Sequence, residues 1–85
     1  MQKYYYELKI KPNLHYNLFL DLLLELTDEA IEELDGTLIL RSAQSLENIE
    51  NGIEEFSKEL SRTLNQDIKC ELDYSKKENL DWILE

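Results

Sequence analysis

The stretch LHYNLFLDLLLEL, residues 14–26, is the part of the chain around which the rest is arranged. On a helical wheel, at about 100° per residue, Asn17, Asp21 and Glu25 fall on one narrow strip. The apolar residues cover roughly two-thirds of the circumference, whereas a helix lying on one sheet needs an apolar stripe only somewhat over 100° wide. We therefore expect a helix that covers its own sheet and has apolar surface left for a partner.

The unpartnered side of this helix is predicted to lie around Leu20 and Leu24. Leu18 and Leu22 are predicted to face the core, so that glutamate at either position would unfold the domain. Glutamate at Leu20 or Leu24 is expected to affect folding little, because substitutions at exposed positions change stability only slightly. The sequence thus predicts a partner surface on the helix itself.

Strand-like stretches precede and follow the helix. Residues 4–10 alternate between side chains of the two faces, and residues 68–74 do the same near the other end. Pro12 ends the first strand and is expected in the first turn of the helix, unless Asn13 caps the helix instead. Both registers are compatible with the sequence.

Residues 29–41 are predicted to form a β-hairpin around Asp35-Gly36, a pair that suits the positive φ angles of a type I′ turn. The expected opposite pairs are Ile31 with Leu40 and Glu33 with Leu38. Leu34 and Ile39 then lie on the other face, which indicates that this face is not wholly in water. The acidic residues of this segment favour a short first strand.

A second helix is predicted over residues 45–64, with Ser45 as its N-cap and Asn65 at its end. Its apolar residues form one stripe about 100° wide: Leu46, Ile49, Ile53, Phe56, Leu60 and Leu64. Gly52 in mid-helix indicates close packing at that point. Its acidic outer face either docks a basic partner or is simply solvated, and the candidate partner residues are Glu47, Glu50 and Glu54.

The resulting order, β-α-β-β-α-β, predicts an α+β, ferredoxin-like fold with two helices on one face of a four-stranded antiparallel sheet. Right-handed crossovers place the first and third strands centrally. Residues 75–78 fit a capping box, S-x-x-E, that would open a last helical segment containing Trp82. Trp82 either packs back over the domain or begins a helix that connects to another domain.

Composition narrows the classes of function. The chain has 85 residues with 19 acidic and 9 basic side chains, a net charge of −10, which disfavours binding to nucleic acid or to an anionic membrane. It favours a basic protein partner or serves solubility. The absence of a signal-peptide pattern and of a membrane-length apolar run favours a cytoplasmic protein, and the single cysteine agrees with a reduced compartment.

No residue pattern announces chemistry. His15 has no partners in a motif that implies a triad, so a role at the surface or at the helix end is expected. Cys70 lies on the inward side of the last strand and is expected to be an inert thiol. No zinc, calcium, phosphate or dinucleotide motif is present, so we predict no catalytic, cofactor-binding or metal-binding residue in this chain.

Four stretches, taken together, resemble a known family: YYYELKI, the leucine-rich helix, AIEELDGTLIL and ENLDWI. The chain resembles the N-terminal domain of the ribosomal protein L11 methyltransferase (PrmA) family. The most specific piece is Asn79-Leu80-Asp81-Trp82. The resemblance implies a ferredoxin-like domain that recognises a basic ribosomal protein. It also implies a separate C-terminal domain that binds S-adenosylmethionine and methylates amines.

On this resemblance, residues 1–75 are expected to form the recognition domain. Residues 76–85 are expected to begin a connecting helix to a catalytic domain beyond Glu85, with Asp81 and Trp82 in the linkage. The chain itself would then not be an enzyme. The alternative is a free-standing acidic adaptor or regulatory domain that forms a homodimer through its first helix. A small stand-alone enzyme is poorly supported, because no nucleophile–base pair is visible.

Overall fold

The computed structural model describes residues 4–78. Its elements are β1 (Tyr4–Pro12), α1 (Tyr16–Leu26), β2 (Ile31–Leu34), β3 (Thr37–Ser42), α2 (Glu47–Leu64) and β4 (Cys70–Glu78). The strands form one antiparallel sheet in the order β2-β3-β1-β4. The ferredoxin-like arrangement predicted from the order of elements is confirmed, with β1 and β3 in the centre.

The hairpin is confirmed in its predicted register. Ile31 pairs with Leu40 and Glu33 with Leu38. Asp35 and Gly36 have φ angles of 49° and 76°, as a type I′ turn requires. The first strand of the hairpin is short, at four residues, as the acidic run indicated.

The face of the sheet away from the helices, here the open face, is only partly in water. Ile39 lies on it and is 6% exposed, whereas Leu34 on the same face is 57% exposed. The indication that this face is covered in places is therefore correct at Ile39 and wrong at Leu34, which lies on an edge strand with a neighbour on one side only.

Neither residue proposed to open α1 does so. Pro12 is the last residue of β1, opposite Cys70, and β3 pairs with β1 only as far as Ile10, so the missing N–H of Pro12 costs no bond to β3. The side chain of Asn13 instead joins two loops. Its Nδ2 donates to the Asp67 carbonyl at 3.0 Å, and its Oδ1 accepts from the Lys69 N–H at 2.8 Å.

The boundaries of α2 differ slightly from those predicted. Leu46, not Ser45, is the N-cap. The hydroxyl of Tyr74 accepts a hydrogen bond from the Leu46 N–H at 2.8 Å, and Ser45 lies 3.1 Å from the same hydroxyl, so a residue of β4 holds the start of the helix. Asn65 ends the helix in the left-handed region, as predicted.

The capping box predicted at residues 75–78 is wrong. These residues continue β4, where Ser75 pairs with Glu7 and Glu78 with Tyr4. A ladder of nine residue pairs between β1 and β4 outweighs the local capping pattern, which stabilises a helix by only about 1 kcal/mol. Asp81 and Trp82, with the rest of 79–85, lie outside the described residues, so their linkage role stays a prediction.

The core lies between the sheet and both helices. The sheet contributes Leu8, Ile10, Leu38 and Leu40, each 0% exposed. Phe19 and Leu23 of α1 and Ile53 of α2 are equally buried against them. Phe19 and Phe56 pack edge to face where the helices touch. Their ring centroids are 5.2 Å apart and the angle between the ring planes is 89°. Gly52 is close to Leu26, since a Cβ built there would lie 3.5 Å from Leu26 Cδ1.

Candidate functional site

The leucines of α1 are not distributed as predicted. Leu24 is 59% exposed, in agreement with an unpartnered position, but Leu20 is half-buried and packs against the core. Leu18, expected to be buried, is 41% exposed, whereas Leu22 is half-buried. The reason is that Phe19 and Leu23 take the core-facing direction, so Leu18 turns away from the sheet.

Leu24→Glu is therefore expected to change the free energy of unfolding by less than about 0.5 kcal/mol, because the site is largely in water already. A urea titration of the variant beside the wild type measures this. The neighbouring substitution Leu23→Glu is the control, since it places a charge in the core and is expected to unfold the domain. Equal losses at the two positions would mean that Leu24 is buried in solution.

The predicted partner residues fall on two separate surfaces. Leu20 and Leu24 continue the side of α1 that carries Tyr16, whose hydroxyl donates to Glu33 Oε1 at 2.7 Å; this side faces the edge strand β2. On the second helix, Ser61 lies within about 20° of Glu50 and Glu54 on the helical wheel.

Ser61 Oγ donates to the Ile68 carbonyl at 3.0 Å, just before β4. The acidic side of α2, Glu47, Glu50 and Glu54, therefore lies towards the opposite edge of the sheet. The structure does not bring it together with Leu20 and Leu24, and the partner role of all five residues stays a prediction.

The side of α1 that faces β2 borders a strongly acidic segment. Residues 28–35, DEAIEELD, contain five carboxylates: Asp28, Glu29, Glu32, Glu33 and Asp35. Arg41 Nη1 binds Glu32 Oε2 at 2.8 Å and partly neutralises the group. Burial and the hydrogen bond with Glu33 raise the pKa of Tyr16 to about 12, so Tyr16 donates to that carboxylate throughout the physiological range. From the sequence, this acidic run predicted only that the first strand of the hairpin is short.

A buried carboxylate on the open face was not predicted. Glu7 is 4% exposed; its Oε2 binds Arg41 Nε at 2.9 Å and its Oε1 binds Lys77 Nζ at 2.8 Å. Through Arg41 the chain of contacts reaches Glu32, so the network joins all four strands. Each member reads as an ordinary outward polar residue of an alternating strand, and only the register of the sheet brings them together.

The two residues considered for catalysis lie at the start of α1 and at the start of β4. His15 is the N-cap residue of α1, and its Nε2 lies 2.6 Å from Gln66 Oε1, which confirms a role at the helix end. Cys70 is half-buried, and burial raises the pKa of its thiol to about 11, so little thiolate forms near neutral pH. Among residues 4–78 no three His, Cys, Asp or Glu side chains are placed to hold a metal ion.

Neither helix of the described segment combines the length and the hydropathy needed to span a bilayer. The open face carries a shallow depression of about 490 Å³, lined by Lys9, Lys11, Thr37, Glu71, Leu72 and Asp73. Its charged side chains face one another across the strands, Lys9 opposite Asp73 and Lys11 opposite Glu71. Among the described residues, those on the side around β2 combine exposed apolar and acidic groups.

Comparison with known proteins identifies the chain's relatives. The ribosomal protein L11 methyltransferase of Campylobacter jejuni subsp. jejuni is 46% identical over 88 residues, which cover 100% of this chain and 31% of that protein. The ribosomal protein L11 methyltransferase of Campylobacter hominis is 39% identical, with 98% of this chain and 28% of that protein covered.

That of Wolinella succinogenes is 36% identical, with 98% and 30% covered. No protein-family profile and no solved structure matches the chain. The chain spans about 30% of the length of these curated relatives. The predicted resemblance is confirmed: over its whole length the chain is related to one part of the ribosomal protein L11 methyltransferases, consistent with an N-terminal domain of that family.

Proposed function

We propose that this chain is the substrate-recognition domain of a ribosomal protein L11 methyltransferase. The observation that carries the proposal is that the whole chain matches about 30% of the length of such an enzyme. The matching segment also has a hydrophobic core of its own. In this proposal the recognition domain, predicted over residues 1–75, extends to Glu78, because β4 ends there. The linkage, with Asp81 and Trp82, follows the end of β4, and a C-terminal domain binds S-adenosylmethionine. The protein acts in the cytoplasm, where ribosomal proteins are made.

The contribution of such a domain to catalysis is positioning. Holding the substrate so that its amine stays near the methyl donor converts a bimolecular encounter into an effectively unimolecular one. The charge supports this role, because a net charge of −10 attracts a basic protein and raises the rate of encounter. The acids are concentrated on α2 and on the segment before and within β2, so the attraction acts at the helical layer and at one edge of the sheet.

Calorimetric titration of the 85-residue chain with ribosomal protein L11 tests the proposal. We expect saturable binding at 1:1 stoichiometry in 50 mM salt, weakened about tenfold or more in 300 mM salt, because exposed charges are screened. Titration with an acidic protein of similar size is the control. Salt-independent heat, or no heat at low salt, would contradict the proposal.

A second function, an adaptor that dimerises through α1, is favoured by the exposure of Leu24 alone. Light scattering separates the two, since the recognition domain is expected to be a monomer of 10.1 kDa. A mass of twice that value which Leu24→Glu returns to the monomer would favour the adaptor instead.

A further inference from the structure

The outer edge of β2 offers backbone groups for strand addition. Within residues 4–78, β2 pairs with β3 on one side and with no strand on the other. Leu34 and Thr37 close a two-residue hairpin and are therefore a hydrogen-bonded pair. Because such pairs alternate along an antiparallel ladder, the N–H and C=O groups of Ile31 and Glu33 point away from β3.

The two most exposed large apolar side chains in the described segment lie on β2 and on α1, the helix that contacts β2 through Tyr16 and Glu33. They are Leu24 at 59% and Leu34 at 57% exposure. Leu34 lies on the open face beside the strand. Leu24 lies near the end of α1, on the side that faces β2, and only four residues separate α1 from the start of β2. A segment added to the edge would have an apolar contact available on each face of the sheet.

Charge selects the kind of segment that fits. The added strand would lie beside Glu33 on the face of the helices and beside Glu32 on the open face, with three further carboxylates in the eight-residue segment. Lysine or arginine at alternating positions would meet opposite charge on both faces. Cross-strand pairs of opposite charge stabilise a sheet, whereas like charges directly opposite destabilise it.

The same rule argues against a second copy of this chain. Two β2 strands paired antiparallel about a twofold axis would set Glu32 of one copy opposite Glu32 of the other, or Glu33 opposite Glu33, depending on the register. The chain's own residues 79–85 carry Asp81 and Glu85 and no basic residue, so they do not complement the edge. Short, charged edge strands discourage aggregation in this way, yet they still admit a strand of opposite charge.

We propose that an extended, basic segment of the protein substrate adds to β2 as a fifth strand, with apolar side chains against Leu24 and Leu34. The inference deepens the proposed function and rests on it, because it takes the substrate to be a basic ribosomal protein. Backbone hydrogen bonds supply affinity in such strand addition, and the alternating side chains supply specificity.

Amide hydrogen exchange of the 85-residue chain, with and without ribosomal protein L11, tests where the probe binds. We expect exchange at Ile31 and Glu33 to slow at least tenfold in the complex, because their N–H groups become bonded. The opposite edge is the internal control. The Asn13 N–H donates to the Lys69 carbonyl, so along β4 the N–H groups point alternately towards β1 and outward. Those of Leu72 and Tyr74 point outward, and their exchange rates are expected to stay unchanged.

Proline scanning of the two edges adds a binding readout. Glu33→Pro removes an outward N–H that the hairpin does not use, so the domain is expected to fold, as circular dichroism will check, and to bind L11 at least tenfold more weakly. Glu33→Gln, which keeps the N–H and loses the charge, is expected to weaken binding about threefold. Lys76→Pro, at the outward position of the other edge, is expected to leave the dissociation constant unchanged.

The outcomes separate the two proposals. If wild type binds L11 but the protected amides lie elsewhere, or if folded Glu33→Pro binds as wild type does, strand addition at β2 is overturned and the recognition function stands. If wild type does not bind L11 at all, both are overturned. Protection of Ile31 and Glu33 without L11, increasing with chain concentration, would identify a second copy as the occupant and overturn the basic segment.

Discussion

Replacing Phe19 with alanine is expected to lower the free energy of unfolding by about 3–5 kcal/mol. The side chain is 0% exposed, and its ring meets Phe56 edge to face where the two helices touch. Its removal leaves a cavity between both helices and the sheet. Native proteins have a total stability of only about 5–15 kcal/mol and small domains are marginal among them, so the variant is expected to lose a large fraction of its stability. Urea unfolding followed by circular dichroism measures the loss.

The adjacent residue provides the matched control. Leu18 is on the same helix but is 41% exposed, so Leu18→Ala is expected to cost about 1 kcal/mol or less. The ratio of the two losses reports the rotation of α1 about its axis. If Leu18→Ala costs as much as Phe19→Ala, the helix is buried on all sides in solution, and the orientation described above is incorrect.

The parts of the fold that were predictable depend on local patterns. The Asp35-Gly36 turn, the pairing of Ile31 with Leu40 and the end of α2 at Asn65 each follow from a few neighbouring residues. Turn geometry fixes the register of a two-residue hairpin, and an asparagine readily adopts the left-handed conformation that ends a helix. The order of the strands in the sheet then follows from the order of the elements along the chain, because few topologies satisfy the rules for connections.

The rotation of α1 was not predictable for a physical reason. Leucines occur on nearly every side of this helix, so hydrophobicity alone does not select the side that faces the core. The choice is made by Phe19, whose contact with Phe56 depends on the position of α2. The same holds for the end of β4, where pairing with β1 overrides a local helix-capping pattern.

The candidate docking surface was predictable only in its parts. Leu24 and the acidic run of residues 28–35 were both visible in the sequence, but nothing local shows that they flank the same edge strand. Their proximity arises from the fold, which places α1 beside β2 through the contact of Tyr16 with Glu33. Glu47, Glu50 and Glu54 illustrate the converse, since they share a charge sign with that edge and lie on the other side of the molecule.

Replacing Glu7 with glutamine is expected to lower the free energy of unfolding by about 2 kcal/mol at pH 7, because hydrogen bonds to charged groups contribute about 1.5–3 kcal/mol each. The substitution keeps the size of the side chain and removes the charge between Arg41 and Lys77. Both cations are roughly half exposed and can turn to water, which limits the loss. Glu32→Gln is the control: it removes an exposed partner of the same arginine and is expected to cost about 0.5 kcal/mol or less.

The effect of Glu7→Gln is expected to depend on pH in one direction. Burial raises the pKa of Glu7, but the hydrogen bonds and charges of Lys77 and Arg41 lower it by more. The net pKa therefore lies below its ordinary value of 4.5. A carboxyl with a lowered pKa in the folded state contributes stability that is fully present above about pH 4.5 and is lost as the pH falls through the lowered pKa. The difference in unfolding free energy between wild type and variant is therefore expected to be constant from pH 8 to about pH 5 and to shrink below that. A difference that persists undiminished at pH 3 would mean that the neutral carboxyl fits the network as well as the carboxylate does, and that shape rather than charge holds the four strands together at this point.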